Sequence, residues 1–350
     1  MKIAVYTIAR TEAKHIQRWA ESAKDADYRV VLDTGSTDDT VKIAKDLNLI
    51  VETKTLEPFR FNDARNASLA LVPEDVDFCI SLDADEVLHE GWRKRLEKNI
   101  KENPGYKQFS LYFVNSRLPD GSIGQGWARP VIHSRNNSYW KWPIHEIMCV
   151  EDTGVAMSDV VAEHFPDKTK PRNYMPLLEQ AVKDMPDDTR MSFYYGRELS
   201  YAQRLEECAV ELKRYLDLGG WSYERSEAMV MLSRCEPDNA EHWLMKACAE
   251  TLDRREPFVA LSQYYYNNKI WTGALAMAER ALLINDRNPS YITEDSAWGF
   301  LPADMAAQAS YLLGNMDMAK YFGQMALTAS PNDERLKTNM DWYNGLITGE

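Results

Sequence analysis

The feature that most limits what this chain can fold into is a change of hydrophobic period near residue 173. Before it, short apolar runs alternate with amphipathic stretches. Strands are predicted over 3–8, 28–32, 49–53 and 76–82, and helices over 13–23, 38–47 and 64–71. That alternation builds a mostly parallel sheet covered by helices on both faces, and such a sheet binds ligands at the carboxyl ends of its strands. After residue 173 the pattern becomes almost continuously helical, broken at Pro186, Gly219-Gly220, Pro237, Pro257 and Pro331. Two domains are therefore expected, an α/β domain over 1–170 and an all-α domain over 171–350.

Within the helical half, small residues recur seven apart, Ala240 with Ala247, Ala274 with Ala281 and Ala319 with Ala326, and Cys208 and Tyr215 hold the same places in an earlier unit. From position 208 the steps are 32, 34 and 45 residues, near the roughly 34-residue period of tetratricopeptide helix pairs, whose small residues let two helices approach closely. A plain helical bundle with alanine-rich seams is the alternative.

Composition narrows the function classes. A chain with 45% hydrophobic and 27% charged residues is a packed protein rather than a disordered one. Its formal charge of −13 repels nucleic-acid phosphates and anionic membranes unless a local basic groove intervenes. No run reaches the roughly 18 to 20 apolar residues of a membrane span, and the first residues lack a signal-peptide pattern, so a cytoplasmic location is expected. The five cysteines contain no C-x-x-C pair and read as reduced packing residues.

The chemistry concentrates at strand ends. Asp83-Ala84-Asp85-Glu86 follows a buried strand, and two carboxylates one residue apart can offer hard oxygen ligands to Mg²⁺ or Mn²⁺ in one crevice. An ion there can bridge the diphosphate of a nucleotide donor. The competing reading has Asp83 or Asp85 capping a helix over 87–100. Asp33-Thr34-Gly35-Ser36-Thr37-Asp38 stands at a second strand end, where an Asp can accept the imide N–H of uracil or simply hold a polar turn. Ala9, Arg10 and Glu12 close the first strand beside the same crevice. Further along, His145-Glu146 follows Trp140-Lys141-Trp142-Pro143. An imidazole suits Mn²⁺ alongside Asp85, with His164 as the rival; Glu146 suits a general base, a salt bridge to Arg129, or a sugar contact. Trp127, Trp140 and Trp142 offer flat faces for stacking, or core packing.

Taken in order, Arg10-Thr11-Glu12, Asp33 to Asp38 and Asp83-Ala84-Asp85 resemble the three strand-end motifs of the family 2 glycosyltransferases of GT-A fold. Ala64-Arg65-Asn66, Ile144-His145-Glu146, Pro186-Asp187-Asp188 and Phe193-Tyr194-Tyr195-Gly196-Arg197 resemble the subgroup that carries tetratricopeptide repeats behind the catalytic domain. The resemblance implies a Rossmann-like GT-A domain followed by tetratricopeptide-like repeats, and a metal-dependent inverting transfer from a nucleotide-sugar donor with UDP as the expected nucleotide. It implies catalytic roles for Glu146 and Asp85 and donor contacts from Ala9, Arg10, Glu12, Asp33, Arg65, Asn66, Asp83, Ala84 and Arg129. The expected ligands for Mn²⁺ or Mg²⁺ are Asp83, Asp85 and His145. Arg129 or Arg135 would neutralise leaving-group phosphate. The acceptor stays open among a glycan, a peptide and a modified nucleobase, and the repeats are expected to bind a protein partner or a second copy. A degenerate nucleotide-sugar-binding scaffold is the reading from another class.

Overall fold

The apolar run Ile3–Ala9 forms β1, buried along nearly its whole length. It is the central parallel strand of an eight-stranded sheet, flanked by β2 (Tyr28–Asp33) and, in the order below, β4. Helix α1 (Ile16–Ser22) connects β1 to β2, and α2 (Thr40–Asp46) leads to β3 (Ile50–Thr53). Helix α3 (Phe61–Ala70) precedes β4 (Phe78–Ser81), β5 (Glu86–Leu88) and α4 (Trp92–Glu102). Then follow β6 (Gln108–Arg117), β7 (Ile123–Ser134), β8 (Ser138–Lys141), β9 (Ile147–Val150) and β10 (Val155–His164). The strand order is β3-β2-β1-β4-β7-β6-β10-β5, with β8 and β9 as a separate ribbon. This computed structural model describes residues 1–117, 121–167, 174–288 and 290–346.

Strands β3, β2, β1 and β4 run parallel, so their carboxyl ends share one edge of the sheet. The register pairs Ala9 with Asp33 and Tyr6 with Ser81, which sets the loops after β1, β2 and β4 side by side. Beyond β4 the sheet turns mixed: β7 is antiparallel to β4 and β6, β10 is parallel to β6, and β5 closes the edge antiparallel to β10. That last pairing places Glu86 opposite His164. It also corrects the expected helix over 87–100. The residues after Asp85 enter a strand, and α4 starts only at Trp92, behind Gly91 at φ +74°. Neither Asp83 nor Asp85 is therefore a helix cap.

The chain divides into two compact units, Met1–Leu177 and Leu178–Glu350. The expected boundary at 170/171 lies outside the described residues, and the division falls within α5 (Met175–Asp184). The second unit is all helical: α6 (Thr189–Tyr201), α7 (Leu205–Leu218), α8 (Ser222–Cys235), α9 (Ala240–Glu250), α10 (Glu256–Asn267), α11 (Trp271–Leu282), α12 (Asp295–Trp298), α13 (Leu301–Leu312), α14 (Met316–Ala329) and α15 (Glu334–Tyr343). Consecutive helices pack as tetratricopeptide-like pairs, α6 with α7, α8 with α9, α10 with α11 and α13 with α14. The alanines spaced seven apart, and Cys208 and Tyr215 in their places on α7, lie on the second helix of each pair, all buried. The longer step from Ala274 to Ala319 arises because α12 and its flanking loops are inserted between α11 and α13.

Close helix approach is visible in atomic detail at Gly196, where an added Cβ would run into Leu212 Cδ2. Cys208 Sγ donates to Gly196 O at 3.3 Å, and Ser262 Oγ donates to Ala274 O at 2.6 Å in a later pair. Overpacking such a seam costs about 1 to 3 kcal/mol. Gly196→Val is accordingly expected to destabilise the chain by about that amount in chemical denaturation, because the branched side chain must displace Leu212. A change near zero would show that the α6–α7 seam is not tightly packed.

Candidate active site

Strand β4 ends at Ser81, and the next four residues bend the chain into β5. The bend is pinned from both sides: Glu86 N donates to Asp83 O at 2.9 Å, and Asp83 N donates to Glu86 Oε2 at 3.1 Å. Trp19 Nε1 of α1 donates to Leu82 O at 3.0 Å, and Ala84 is packed into the core. The two aspartates flank that anchored alanine with partly exposed carboxylates, each facing a basic group. Arg65 Nη1 lies 2.8 Å from Asp83 Oδ1, and His164 Nε2 lies 3.1 Å from Asp85 Oδ2.

Arg65 projects from α3 and is buried. Its guanidinium also donates from Nε to Glu146 Oε1 at 2.5 Å and from Nη1 to Ser81 Oγ at 3.3 Å, and it lies 4.8 Å from the Trp140 ring centre. A second, partly buried cation, Arg129 of β7, meets Glu86 Oε1 at 2.5 Å and lies 4.4 Å from the Phe113 ring centre. Burial pushes the Asp83 carboxyl up, but Arg65 and Arg129 outweigh it and hold the group at about 2. At Glu86 burial prevails over Arg129, and the pKa is raised. For Arg65 the loss of water opposes the charge, yet Asp83 and Glu146 overcompensate and its pKa rises.

Trp140 is itself fixed by a buried chain. Its Nε1 donates to Tyr6 Oη at 2.7 Å, and Tyr6 Oη lies 3.0 Å from His133 Nε2. His133 Nδ1 faces Ser134 O at 2.8 Å, a carbonyl that only accepts, so the proton sits on Nδ1 and Nε2 accepts from Tyr6. Burial lowers the His133 pKa to about 4. Asn66 clamps the Trp140 backbone with both ends of its amide, Nδ2 to Trp140 O at 2.9 Å and Oδ1 from Trp140 N at 2.7 Å.

The neighbouring sheet edge is stitched by backbone donors. Thr11 N donates to Ser36 Oγ at 2.7 Å, Glu12 N to Thr40 Oγ1 at 2.7 Å and Ala13 N to Asp38 Oδ2 at 3.1 Å. Ala9 O accepts from Thr34 N at 2.8 Å, and Arg10 beside it is exposed. Asp33 is buried, and its carboxylate accepts from Gly35 N and Ser36 N at 3.2 Å each, around Gly35 at φ +107°. It holds its own turn, so a nucleobase would have to share it with those amides.

The structure thus gathers Asp83, Asp85, Arg65, Arg129 and Glu146, with Ala84 as the buried hinge between the aspartates. Several expectations need correction. The imidazole on Asp85 is His164, whereas His145, at φ +51°, stands edge-on to Tyr174 with ring centres 5.7 Å apart. Glu146 pairs with Arg65 rather than Arg129. Asn66 braces Trp140, Arg135 is spent on Val72 O at 3.0 and 3.1 Å, and Trp140 is core rather than a sugar-stacking wall. Trp127 keeps 38% of its surface exposed and packs edge-on to Phe113, while Trp142 lies under the Lys141 ammonium. Sequence reasoning missed Glu86 as the Arg129 partner and the Tyr6–His133 support. The only signal for Glu86 was its place beside Asp85, and for Tyr6 and His133 there was none, because both lie inside strands.

The glycosyl transferase family 2 model matches residues 4–151. The first unit is a glycosyl transferase family 2 domain. No curated protein matches the chain. Similar solved structures include the tetratricopeptide protein YrrB, 14% identical over 48% of this chain and 82% of that one, with a TM-score of 0.39. Pseudomonas aeruginosa pilF is 14% identical over 49% and 72%, with a TM-score of 0.37. A thermophilic tetratricopeptide protein of Thermus thermophilus is 19% identical over 49% and 89%, with a TM-score of 0.33. Among the described residues no helix of the transferase domain or the repeats is long and apolar enough to cross a membrane.

The buried His133 yields a pH prediction. Its folded pKa lies below the ordinary value of 6.5, so its contribution to stability is complete above about pH 6.5 and is lost as pH falls toward 4. A displacement of that size is worth at most about 3 kcal/mol. In urea titrations, His133→Gln is expected to flatten the fall in stability between pH 6.5 and 4. An equally steep fall in both proteins would show that His133 is not buried neutral.

Proposed function

We propose that the glycosyl transferase domain moves a hexosyl group from a UDP-sugar to an acceptor nucleophile, with inversion and with help from a divalent ion. The observation that carries this reading is the geometry at Asp85. Its Oδ2 and His164 Nε2 stand 3.1 Å apart, a carboxylate and an imidazole that would together hold a divalent ion. Asp83 is engaged by Arg65, and no group of three His, Cys, Asp or Glu stands together as ligands among the described residues. Asp85 and His164 are the residues that would hold Mg²⁺ or Mn²⁺. When bound, such an ion supplies positive charge to the diphosphate as it leaves.

The chain's own groups do the rest. Asp83, ionised throughout the neutral range, is placed to accept from donor hydroxyls. Arg65 and Arg129 line the site with fixed positive charge in a partly dry setting, where it acts strongly on a developing phosphate anion. Glu146, oriented by Arg65, takes the acceptor proton as the acceptor oxygen bonds to the anomeric carbon. On the opposite side of that carbon the bond to the phosphate oxygen breaks, and its electron pair leaves with the diphosphate. Ala9, Arg10, Glu12 and Asp33 at the adjacent sheet edge are assigned to the nucleoside.

The test is UDP release from a panel of UDP-sugars, with and without Mn²⁺, alongside thermal shifts with the same donors. Wild type is expected to release UDP only with the ion, and Asp85→Asn and His164→Ala to lose at least about 100-fold, in the range typical of lost electrostatic stabilisation. Absence of both binding and turnover across all uridine donors would overturn the donor assignment. Ion-independent turnover that survives His164→Ala would overturn the metal assignment.

A further inference from the structure

Helix α6 carries Tyr194, Arg197 and Tyr201 three and four residues apart, on one face. The Arg197 guanidinium lies 4.5 Å from the ring centre of Tyr194, 5.8 Å from that of Tyr291 and 5.9 Å from that of Tyr201. Its Nε is shut off from water without a hydrogen-bond partner, and no carboxylate among the described residues pairs with it. Other arginines of the same unit do have such partners: Arg204, Arg214, Arg225, Arg254 and Arg335 each sit on a carboxylate. Arg234, Arg255 and Arg280 also lack a paired carboxylate among the described residues, so what sets Arg197 apart is its buried Nε without a hydrogen-bond partner, in residues 178–350 where 17 Lys and Arg face 27 Asp and Glu.

The rings around it form a fixed row. Tyr194 stacks on Tyr291 at 5.9 Å, Trp221 stacks on Tyr223 at 4.8 Å, and Trp221 tilts against Tyr291 at 6.4 Å. Two hydroxyl ends are tied down, Tyr291 to Glu224 and Tyr223 to Asp253. The turn that delivers Trp221 has Gly219 and Gly220 at φ +103° and +107°, and a Cβ on Gly220 would fall 2.5 Å from the Tyr215 hydroxyl. Yet Tyr201, Trp221 and Tyr291 keep 68%, 44% and 47% of their surface exposed. Ordered, exposed aromatic faces beside an unpaired cation are the makings of a recognition site, since the ordering entropy is spent before anything binds.

We propose that this row binds a peptide segment carrying one carboxylate next to an aromatic or aliphatic side chain. The guanidinium calls for a planar oxyanion that it can hold through two N–H groups. The rings call for apolar surface next to that oxyanion. A neutral sugar would leave Arg197 without a counter-charge, and free phosphate would leave the rings wet. A polyanion meets repulsion from the surrounding carboxylates, Glu224 and Asp253 among them. A single acidic residue with an apolar neighbour satisfies both halves. This site does not depend on the sugar-transfer reading.

The test is calorimetric titration of the full chain with acetyl-Phe-Glu-Phe-amide, its Gln and Lys counterparts, and inorganic phosphate as competitor. The glutamate peptide is expected to bind saturably, at least about tenfold more tightly than the glutamine peptide, as a charge-assisted bond implies. The lysine peptide is expected not to bind. Arg197→Gln is expected to abolish the glutamate–glutamine difference while the glutamine peptide still binds. Tyr201→Ala, at a highly exposed position, is expected to weaken both peptides alike, and it tests the ring half of the site even if the Arg197 variant fails to fold. No saturation by millimolar glutamate peptide, equal affinity for the two peptides, a difference that survives Arg197→Gln, or displacement by equimolar phosphate would each overturn the proposal.

Discussion

One buried guanidinium organises the transferase domain. Arg65 arrives from α3 and holds Asp83 from the turn after β4 and Glu146 from the segment after β8, while resting on Trp140. Three segments distant in sequence are thereby tied to a single planar group. Such a cluster is stable only when complete, because removing one partner leaves a charge buried without compensation, a loss of about 3 to 5 kcal/mol. The support behind it is equally specific, since Asn66, Tyr6 and His133 all act on Trp140 or on one another rather than on the arginine. The charged layer therefore rests on a neutral hydrogen-bonded layer.

Acids and bases alternate across this layer: Asp85 with His164, Asp83 with Arg65, Glu86 with Arg129, and Glu146 with Arg65 again. The alternation explains how four carboxylates stand close together without repelling the chain apart. It also differentiates them. Asp83, between two arginines, stays charged at low pH, whereas the deeper Glu86 has its charge disfavoured by burial. Two acids three residues apart are thus suited to different work through their surroundings alone.

Much of this was legible in the sequence, and the reasons are physical. Strand runs such as 3–8 and the helical period after residue 173 follow from burial on one or two faces, which composition records directly. The paired aspartates stood out because charged groups at strand ends are either functional or costly, and Arg65, inside α3, stood out only through the resemblance of Ala64-Arg65-Asn66 to a family motif. What could not be read was pairing across long separations. The antiparallel meeting of β5 with β10 brings His164 to Asp85, and nothing local distinguishes that histidine from His145. The short strand β5 hid inside an amphipathic run that suited a helix, because three residues carry too little pattern to oppose eleven helical ones. Asn66 was expected at the donor only through the resemblance of Ala64-Arg65-Asn66, and its amide, which can donate and accept at once, serves as a brace instead.

The edge position of β5 has a consequence for how the domain can be divided. The family match ends at residue 151, yet β10, which supplies His164 and the backbone partners of β5, begins at Val155. A fragment cut where the recognisable homology stops would expose β6 along one flank, leave Glu86–Leu88 unzipped, and loosen the very loop that presents both aspartates. The smallest piece that keeps this sheet whole is longer than its most recognisable part.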